Sequence, residues 1–216
     1  MNCIVTAGPT YEPLDQVRRL TNFSTGRFGT ELANFLARHG HHVTLLIGDQ
    51  ATWPGERTAH CVESFSTTAS LAARLQSASG HNVEAVFHAA AVSDFKFGKI
   101  WLRSPAGNLT EVSSAKFSTR QGTLLAELVP TPKIIAELRS WFPNAKLVGW
   151  KFEVDPGHAG VIQGAEDQLT DCDTDACVAN GPAYGCGFGL VSGVGHCTHL
   201  KDASALFAAL EKFINK

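Results

Sequence analysis

A short apolar run, CIVTAGPT at residues 3–10 with a strand expected at 3–6, leads through a long loop into RLTNFSTGRFG at 19–29, where a helical pattern opens. A buried-type strand, a loop and a helix start in that order point to an α/β architecture, in which such turns hold phosphate. Asn22, Ser24 and Thr25 place an amide and two hydroxyls just ahead of Gly26 and Gly29, with Arg27 at the same turn. Glycine lets backbone N–H groups approach an anion, and the helix N-terminus adds partial positive charge. Residue types alone leave two readings level: a helix capped by Ser24 or Thr25, or a site for an anionic ligand.

The alternation continues along the chain. Residues 26–39 read as a helix, with Phe28, Leu32, Phe35 and Leu36 on one face and Gly40 at its end. HVTLLIG at 42–48 is a second strand, and the unit resembles half of a Rossmann fold. Further strands are expected at 61–64, 85–89, 146–152 and 176–179. Helices are expected at 67–77, from Pro132 onward, at 157–171 and at 203–214. These predict a Rossmann-like three-layer α/β fold around a mainly parallel sheet, in one domain over residues 1–216. From Lys96 to Arg120 the rhythm fails, and 123–129 returns to strand; the pattern predicts an inserted arm or flap at about 96–129. FGLVSGVGHCTHL at 188–200 reads as a hairpin around Gly193–Gly195.

Composition narrows the partners. A formal net charge of −2 gives no reason to expect nucleic acid or an anionic membrane surface. No apolar run approaches the roughly 20 residues that span a bilayer, and the chain enters a strand at once, so no signal peptide is expected. The 6 cysteines form no CxxC pair and read as reduced thiols of a cytoplasmic protein. The 9 histidines show no ligand spacing.

Ligands of open α/β sheets bind at the carboxyl ends of strands. Asp94, in AAVSDF after the 85–89 strand, lies there, and could hold Mg²⁺ beside a phosphate or form a plain surface ion pair. Lys151 and Glu153 flank Phe152 at another strand end, on one face of the pleat. Asn180 follows a third strand. Lys116 falls in the irregular arm, where a lysine is ordinarily just solvated. Several common sites are excluded: TAGPT lacks the GxGxxG dinucleotide fingerprint, and neither GxxxxGK[ST] nor GxSxG occurs. An NAD(P)-dependent reductase is disfavoured for the same reason.

Taken together, these stretches resemble the phosphopantothenoylcysteine synthetase (phosphopantothenate–cysteine ligase) family, the C-terminal domain of the DNA/pantothenate metabolism flavoproteins. The first match is long: Glu12, Pro13, Leu14, Asp15, Val17 and Arg18, then Asn22, Ser24, Thr25, Gly26, Arg27 and Gly29. It is followed in order by the AAVSDF motif at 90–95, by GWKFE at 149–153, with Trp150 where the family has Phe, and by VAN at 178–180. The resemblance implies a ligase of coenzyme A biosynthesis. Such enzymes activate the carboxylate of 4′-phosphopantothenate with CTP or ATP and Mg²⁺, release pyrophosphate, and let the amine of cysteine displace the nucleotide. It also implies a homodimer paired partly through the arm. By motif it assigns catalysis to Asn22 and Lys116 and substrate binding to Arg18, Asn22 and Asn180. It assigns nucleotide binding to Gly8, Ser24, Thr25, Gly26, His88, Ala89, Ala90, Asp94, Pro132, Lys133, Ile134, Ile135 and Trp150.

The chain departs from the family in four places, one of them the tail after VAN, which lacks the usual F-x-x-x-x-N pattern. The family's K-x-K-K is reduced to Lys116, followed by Phe117, Ser118 and Thr119, and N-P-D-[IL] becomes TPKI. The helix that ordinarily offers two lysines to a triphosphate reads GAEDQLTDCDTDAC at 164–177, without lysine and with Glu166, Asp167, Asp171, Asp173 and Asp175. Lys133, Lys151 and Arg120 remain as compensating cations. The departures keep a second function open: a relative of the same fold that binds a nucleotide or another phosphorylated ligand without turnover.

Overall fold

The computed structural model describes residues 1–118, 120, 122–155 and 157–216. Its centre is an eight-stranded sheet whose order runs β13-β12-β11-β10-β6-β1-β4-β5. The strands are β1 (Asn2–Ala7), β4 (His42–Gly48), β5 (Cys61–Phe65), β6 (Ala85–His88), β10 (Lys146–Phe152), β11 (Ala176–Asn180), β12 (Phe188–Val191) and β13 (Cys197–Leu200). The first six are mutually parallel, and the hairpin of β12 and β13 adds to the edge antiparallel. Strands buried on both faces need near-continuous apolar sequence, which β1, β4 and β11 supply.

Among the described residues five helices cover the two faces: α1 (Arg27–Arg38), α2 (Thr68–Ala78), α3 (Ile134–Trp141), α4 (Gly157–Cys172) and α5 (Ala203–Ile214). Leu32 and Leu36 of α1 and Leu206 and Leu210 of α5 pack with Val5, Leu45 and Phe87 on one face. On the other, Leu71 and Leu75 of α2 and Leu138 of α3 meet Ile4, Leu46 and Leu147. Val161 and Ala165 of α4 lie against Cys177 and Ala179. Successive residues of β1, Ile4 and Val5, thus serve opposite cores, as the pleat requires.

The sheet reverses direction at β1. The chain runs from β1 outward through β4 and β5, then returns to place β6 on the other side of β1. A crevice at the carboxyl ends of β1 and β6 follows from that topology. A bridge between Pro9 and Ala91 marks its floor.

Three local features differ from the sequence expectation. The loop after β1 contains a small hairpin of β2 (Tyr11–Pro13) and β3 (Arg19–Thr21). The arm is regular: β7 (Phe95–Arg103), β8 (Leu109–Glu111) and β9 (Thr123–Pro130) form an antiparallel sheet. Thr119, at the end of the AKFST stretch, lies outside the described residues. Helix α3 begins at Ile134, two residues beyond the expected Pro132. Pro130 still pairs with Phe95 in β9, and the Thr131 N–H donates to the Asp94 carbonyl at 2.9 Å, so the chain stays extended there.

Candidate active site

The crevice opens into a cleft of about 1170 Å³, large enough for a nucleotide and a second small substrate together. Its walls come from the start of α1, the segment after β6, the start of α3, the ends of β10 and β11, and one side of α4.

The start of α1 lacks a side-chain cap. Gly26 is the N-cap residue, with φ of 78°, and no side chain accepts from the first turn in the capping position. Neither Ser24 nor Thr25 is the N-cap; the nearest approach is the Arg27 N–H to Thr25 Oγ1 at 3.3 Å. The first-turn N–H groups therefore face the cleft with the positive end of the helix dipole behind them. Ser24, Thr25 and Gly26 line this wall, and Gly8 lies beside them. Arg27 stands at the rim, paired with Glu31 at 2.8 Å.

Asn22 reaches across to the segment that follows β6. Its Nδ2 donates to the carbonyls of Ala91 at 3.1 Å and Val92 at 3.2 Å, which leaves Oδ1 as the free end of the amide. Phe23 beside it is fully exposed at the cleft mouth, and Phe152 is exposed on the opposite lip.

His88 lines the floor with Ala89 and Ala90. Its Nδ1 lies 3.0 Å from Thr6 Oγ1, and the same hydroxyl accepts from the Ala90 N–H at 3.1 Å. That pairing suits a hydroxyl donating to Nδ1 and an Nε2–H tautomer. Burial pushes the imidazole pKa down to about 4, so the ring is neutral near pH 7. Asp94 also lines the cleft.

Two buried polar atoms of lining residues have no hydrogen-bond partner among the described residues: Trp150 Nε1 and Asn180 Oδ1. Trp150 packs edge-on against Phe28, with ring centroids 5.8 Å apart. An unpaired buried donor or acceptor costs free energy, and a ligand with complementary groups would offset it. Pro132, Lys133, Ile134 and Ile135 complete the wall at the start of α3.

Arg18 and Lys116 are not among the lining residues. Arg18 is held by Asp15, whose Oδ2 accepts from its Nε at 3.0 Å, and its Nη2 donates to the Phe117 carbonyl at 2.9 Å. The Phe117 N–H in turn donates to Asp15 Oδ2 at 3.2 Å. The guanidinium of Arg18, together with the surrounding N–H groups, holds the Asp15 carboxyl well below the usual carboxylate range. The arm segment carrying Lys116 is thus clasped to the loop of residues 14–18 instead of to the cleft.

The acidic stretch of α4 and beyond divides in two. Asp167 and Asp171 line the cleft, with Gly164, Gln168 and Cys172. Glu166 turns away and accepts from the Gly195 N–H at 2.8 Å. Asp173 and Asp175 bind Arg139, and Asp175 also accepts from the Leu147 N–H at 2.8 Å. Only two of the five acids bear on a ligand. The α4 contribution carries no local sequence signal, because only the helix–sheet packing selects which α4 residues turn inward.

Residues 1–204 match the family described as DNA/pantothenate metabolism flavoprotein C-terminal domain. The coenzyme A biosynthesis bifunctional protein CoaBC of Thermococcus kodakarensis is 31% identical over 185 residues, covering 82% of this chain and 40% of that protein. The chain thus spans less than half the length of that relative. The DNA/pantothenate metabolism flavoprotein from Streptococcus pneumoniae has the same fold, with a TM-score of 0.85 at 23% identity over 100% of this chain and 98% of that one. So does a Cab2 mutant in complex with phosphopantothenate-cysteine, with a TM-score of 0.77 at 18% identity, covering 99% and 86%.

Proposed function

Since the chain belongs to the DNA/pantothenate metabolism flavoprotein C-terminal domain family, we propose that it is a ligase joining 4′-phosphopantothenate to cysteine in coenzyme A biosynthesis. In this reading all 216 residues form one such domain. The observation that carries it is the convergence of an uncapped helix start, the anchored amide of Asn22 and the neutral His88 on one cleft.

The chemistry runs in two steps. A carboxylate oxygen of phosphopantothenate attacks the α-phosphorus of CTP or ATP; the α–β bridge breaks, pyrophosphate leaves, and an acyl-nucleotide forms. The cysteine amine then attacks the acyl carbon, loses a proton, and expels the nucleoside monophosphate as the amide bond closes. Negative charge develops on a phosphoryl oxygen in the first step and on the acyl oxygen in the second. Preorganised donors stabilise such charge in a cleft that restricts water.

The first-turn N–H groups of α1 are suited to a phosphate. His88, neutral and with Nε2–H free, can donate without adding charge. Asn22 can donate to the acyl oxygen by releasing the Val92 carbonyl, the longer of its two bonds. The orphaned Trp150 Nε1 and Asn180 Oδ1 suit a ligand edge carrying one acceptor and one donor. Among the described residues no group of three or more His, Cys, Asp or Glu could hold a metal ion. Mg²⁺ fits only as an ion carried by the phosphates, with Asp94 as its protein carboxylate. Lys116 and Arg18 belong to the arm–loop clasp and act, in this reading, from a second copy in a homodimer or after arm movement.

A pyrophosphate-release assay with phosphopantothenate, cysteine, Mg²⁺ and CTP or ATP tests the proposal. Absence of release with either nucleotide overturns it. The second reading, nucleotide or phospho-ligand binding without turnover, is favoured by one observation: α4 turns Asp167 and Asp171 to the cleft, and no cation. A nucleotide-dependent rise in Tm with no pyrophosphate would select it.

A further inference from the structure

A polyphosphate in this cleft, as the reading above requires, needs cations. Three cationic side chains line the cleft: Arg27, Lys133 and Lys151. Arg120 does not line it. Arg27 pairs with Glu31 through Nε, and its side chain is 66% exposed at the rim, where solvent screens its charge. Lys133, just ahead of α3, makes no ion pair among the described residues.

Lys151 arrives by a particular route. It leaves β10 on the α4 side of the sheet and crosses that helix at Gly164. A Cβ at position 164 would stand 3.0 Å from Lys151 Cε and 3.9 Å from Nζ. The next turn of α4 returns the arrangement: Gln168 lies over Gly149 of β10, where a Cβ would meet its Nε2 at 1.9 Å. Gln168 Nε2 is fixed by Cys177 Sγ at 3.3 Å. Each element thus omits a side chain where the other sends one across. The Lys151 ammonium ends 3.1 Å from Glu153 Oε1, with donors to spare.

Both ammonium groups act on the same part of the cleft. Burial raises the Cys172 thiol pKa; Lys133 and Lys151 both oppose the rise, and Asp171 adds to it. Asp167 is occupied by Gln163 at 2.9 Å. The cations opposite α4 are therefore Lys151, at the end of β10 and paired with Glu153, which also lines the cleft, and Lys133, at the start of α3.

We propose that Lys151 and Lys133 are the polyphosphate-binding cations of this chain, and that the missing side chain at Gly164 is what admits Lys151 to the cleft. The nucleoside triphosphate is held from the strand side, across from a helix whose charged groups at the cleft are the carboxylates of Asp167 and Asp171.

The test is calorimetric titration with CTP, ATP and the matching monophosphates in the presence of Mg²⁺. Wild type binds a triphosphate more tightly than its monophosphate. Lys151→Met and Lys133→Met each weaken triphosphate binding on the order of ten- to a hundredfold, the scale of a charge-assisted hydrogen bond, and leave the monophosphate within about twofold. Gly164→Ala fills the gap with a better helix former, so it weakens triphosphate binding while Tm holds or rises. Combined with Lys151→Met it adds no further loss. Wild-type triphosphate affinity in both lysine variants overturns this assignment and leaves the ligase reading standing. Wild-type affinity in Gly164→Ala overturns the role of the gap. A wild-type protein that binds no nucleotide and releases no pyrophosphate overturns the ligase reading itself.

Discussion

The amide nitrogen of Asn22 lies 3.1 Å from the carbonyl oxygen of Ala91, and this bond joins the loop ahead of α1 to the segment that follows β6. The contact spans the reversal point of the sheet. It fixes the amide with Nδ2 on the two carbonyls and Oδ1 as the free end, so donation to an acyl oxygen requires release of the Val92 carbonyl. Asn22→Asp replaces the donor with a carboxylate oxygen against Ala91 and Val92. Pyrophosphate release or product formation should fall on the order of 10²–10³-fold, the range for loss of one oxyanion donor. Asn22→Ala should fall less, since it removes the donor without adding repulsion. Equal activity in Asn22→Asp and wild type would rule out this arrangement.

His88 makes stability depend on pH in a defined direction. Its folded pKa of about 4 lies below the ordinary value of 6.5, so the unfolded chain binds more protons between those limits. Its contribution is fully present above about pH 6.5 and is lost as pH falls toward 4, amounting to roughly 3 kcal/mol by linkage. Denaturant unfolding of wild type and His88→Gln at pH 7 and pH 5 should show the wild type losing more. Parallel losses in the two proteins would remove His88 as the cause.

Trp150→Phe keeps an aromatic ring against Phe28 and deletes the unpartnered N–H. The unsatisfied donor and the smaller ring act oppositely, each on a scale of about 1–3 kcal/mol, so unliganded stability should change little. Nucleotide or acyl-acceptor affinity should drop about fivefold to tenfold if the indole N–H meets a ligand acceptor. Unchanged affinity for every substrate would confine Trp150 to packing.

Asp15→Asn should loosen the arm. The carboxylate gathers Arg18 and the N–H groups of Val17, Arg18 and Phe117, and a neutral amide cannot accept as many. Amide exchange should accelerate at 115–117 and 16–18 while the central sheet stays protected. The same loosening is expected in wild type as pH falls below the usual carboxylate range, because a carboxyl with a depressed pKa loses its contribution on protonation.

Much of the fold was legible because β1, β4, β10 and β11 are apolar runs separated by amphipathic or small-residue helices. Within the arm β9 was legible as the strand at 123–129, and the rest only as an interruption. Its strands carry exposed Phe95, Leu109, Leu125 and Leu128, and Ile100 is the one buried residue of β7, so burial imposes no regular alternation. In the cleft, strand ends and the α1 start could be read from position, since topology dictates where they converge. The placement of Lys116 could not, because it depends on Asp15 meeting Phe117, 102 residues away. Nor could the acidic stretch be apportioned: Asp175 belongs to Arg139 and the Leu147 N–H, Asp171 to the cleft, and the sequence treats them alike.

The clasp between Asp15 and Phe117 also bears on how the chain acquires its shape. Contacts so distant along the chain carry more loop-closure entropy than local ones and are expected to form after them. The β1–α1–β4 unit can assemble from neighbouring segments, but the loop beside its phosphate-facing turn must wait for the arm to be built and folded back. Ligand competence is therefore expected to follow helix formation, and stopped-flow refolding of an arm variant such as Asp15→Asn should show binding delayed more than helix signal.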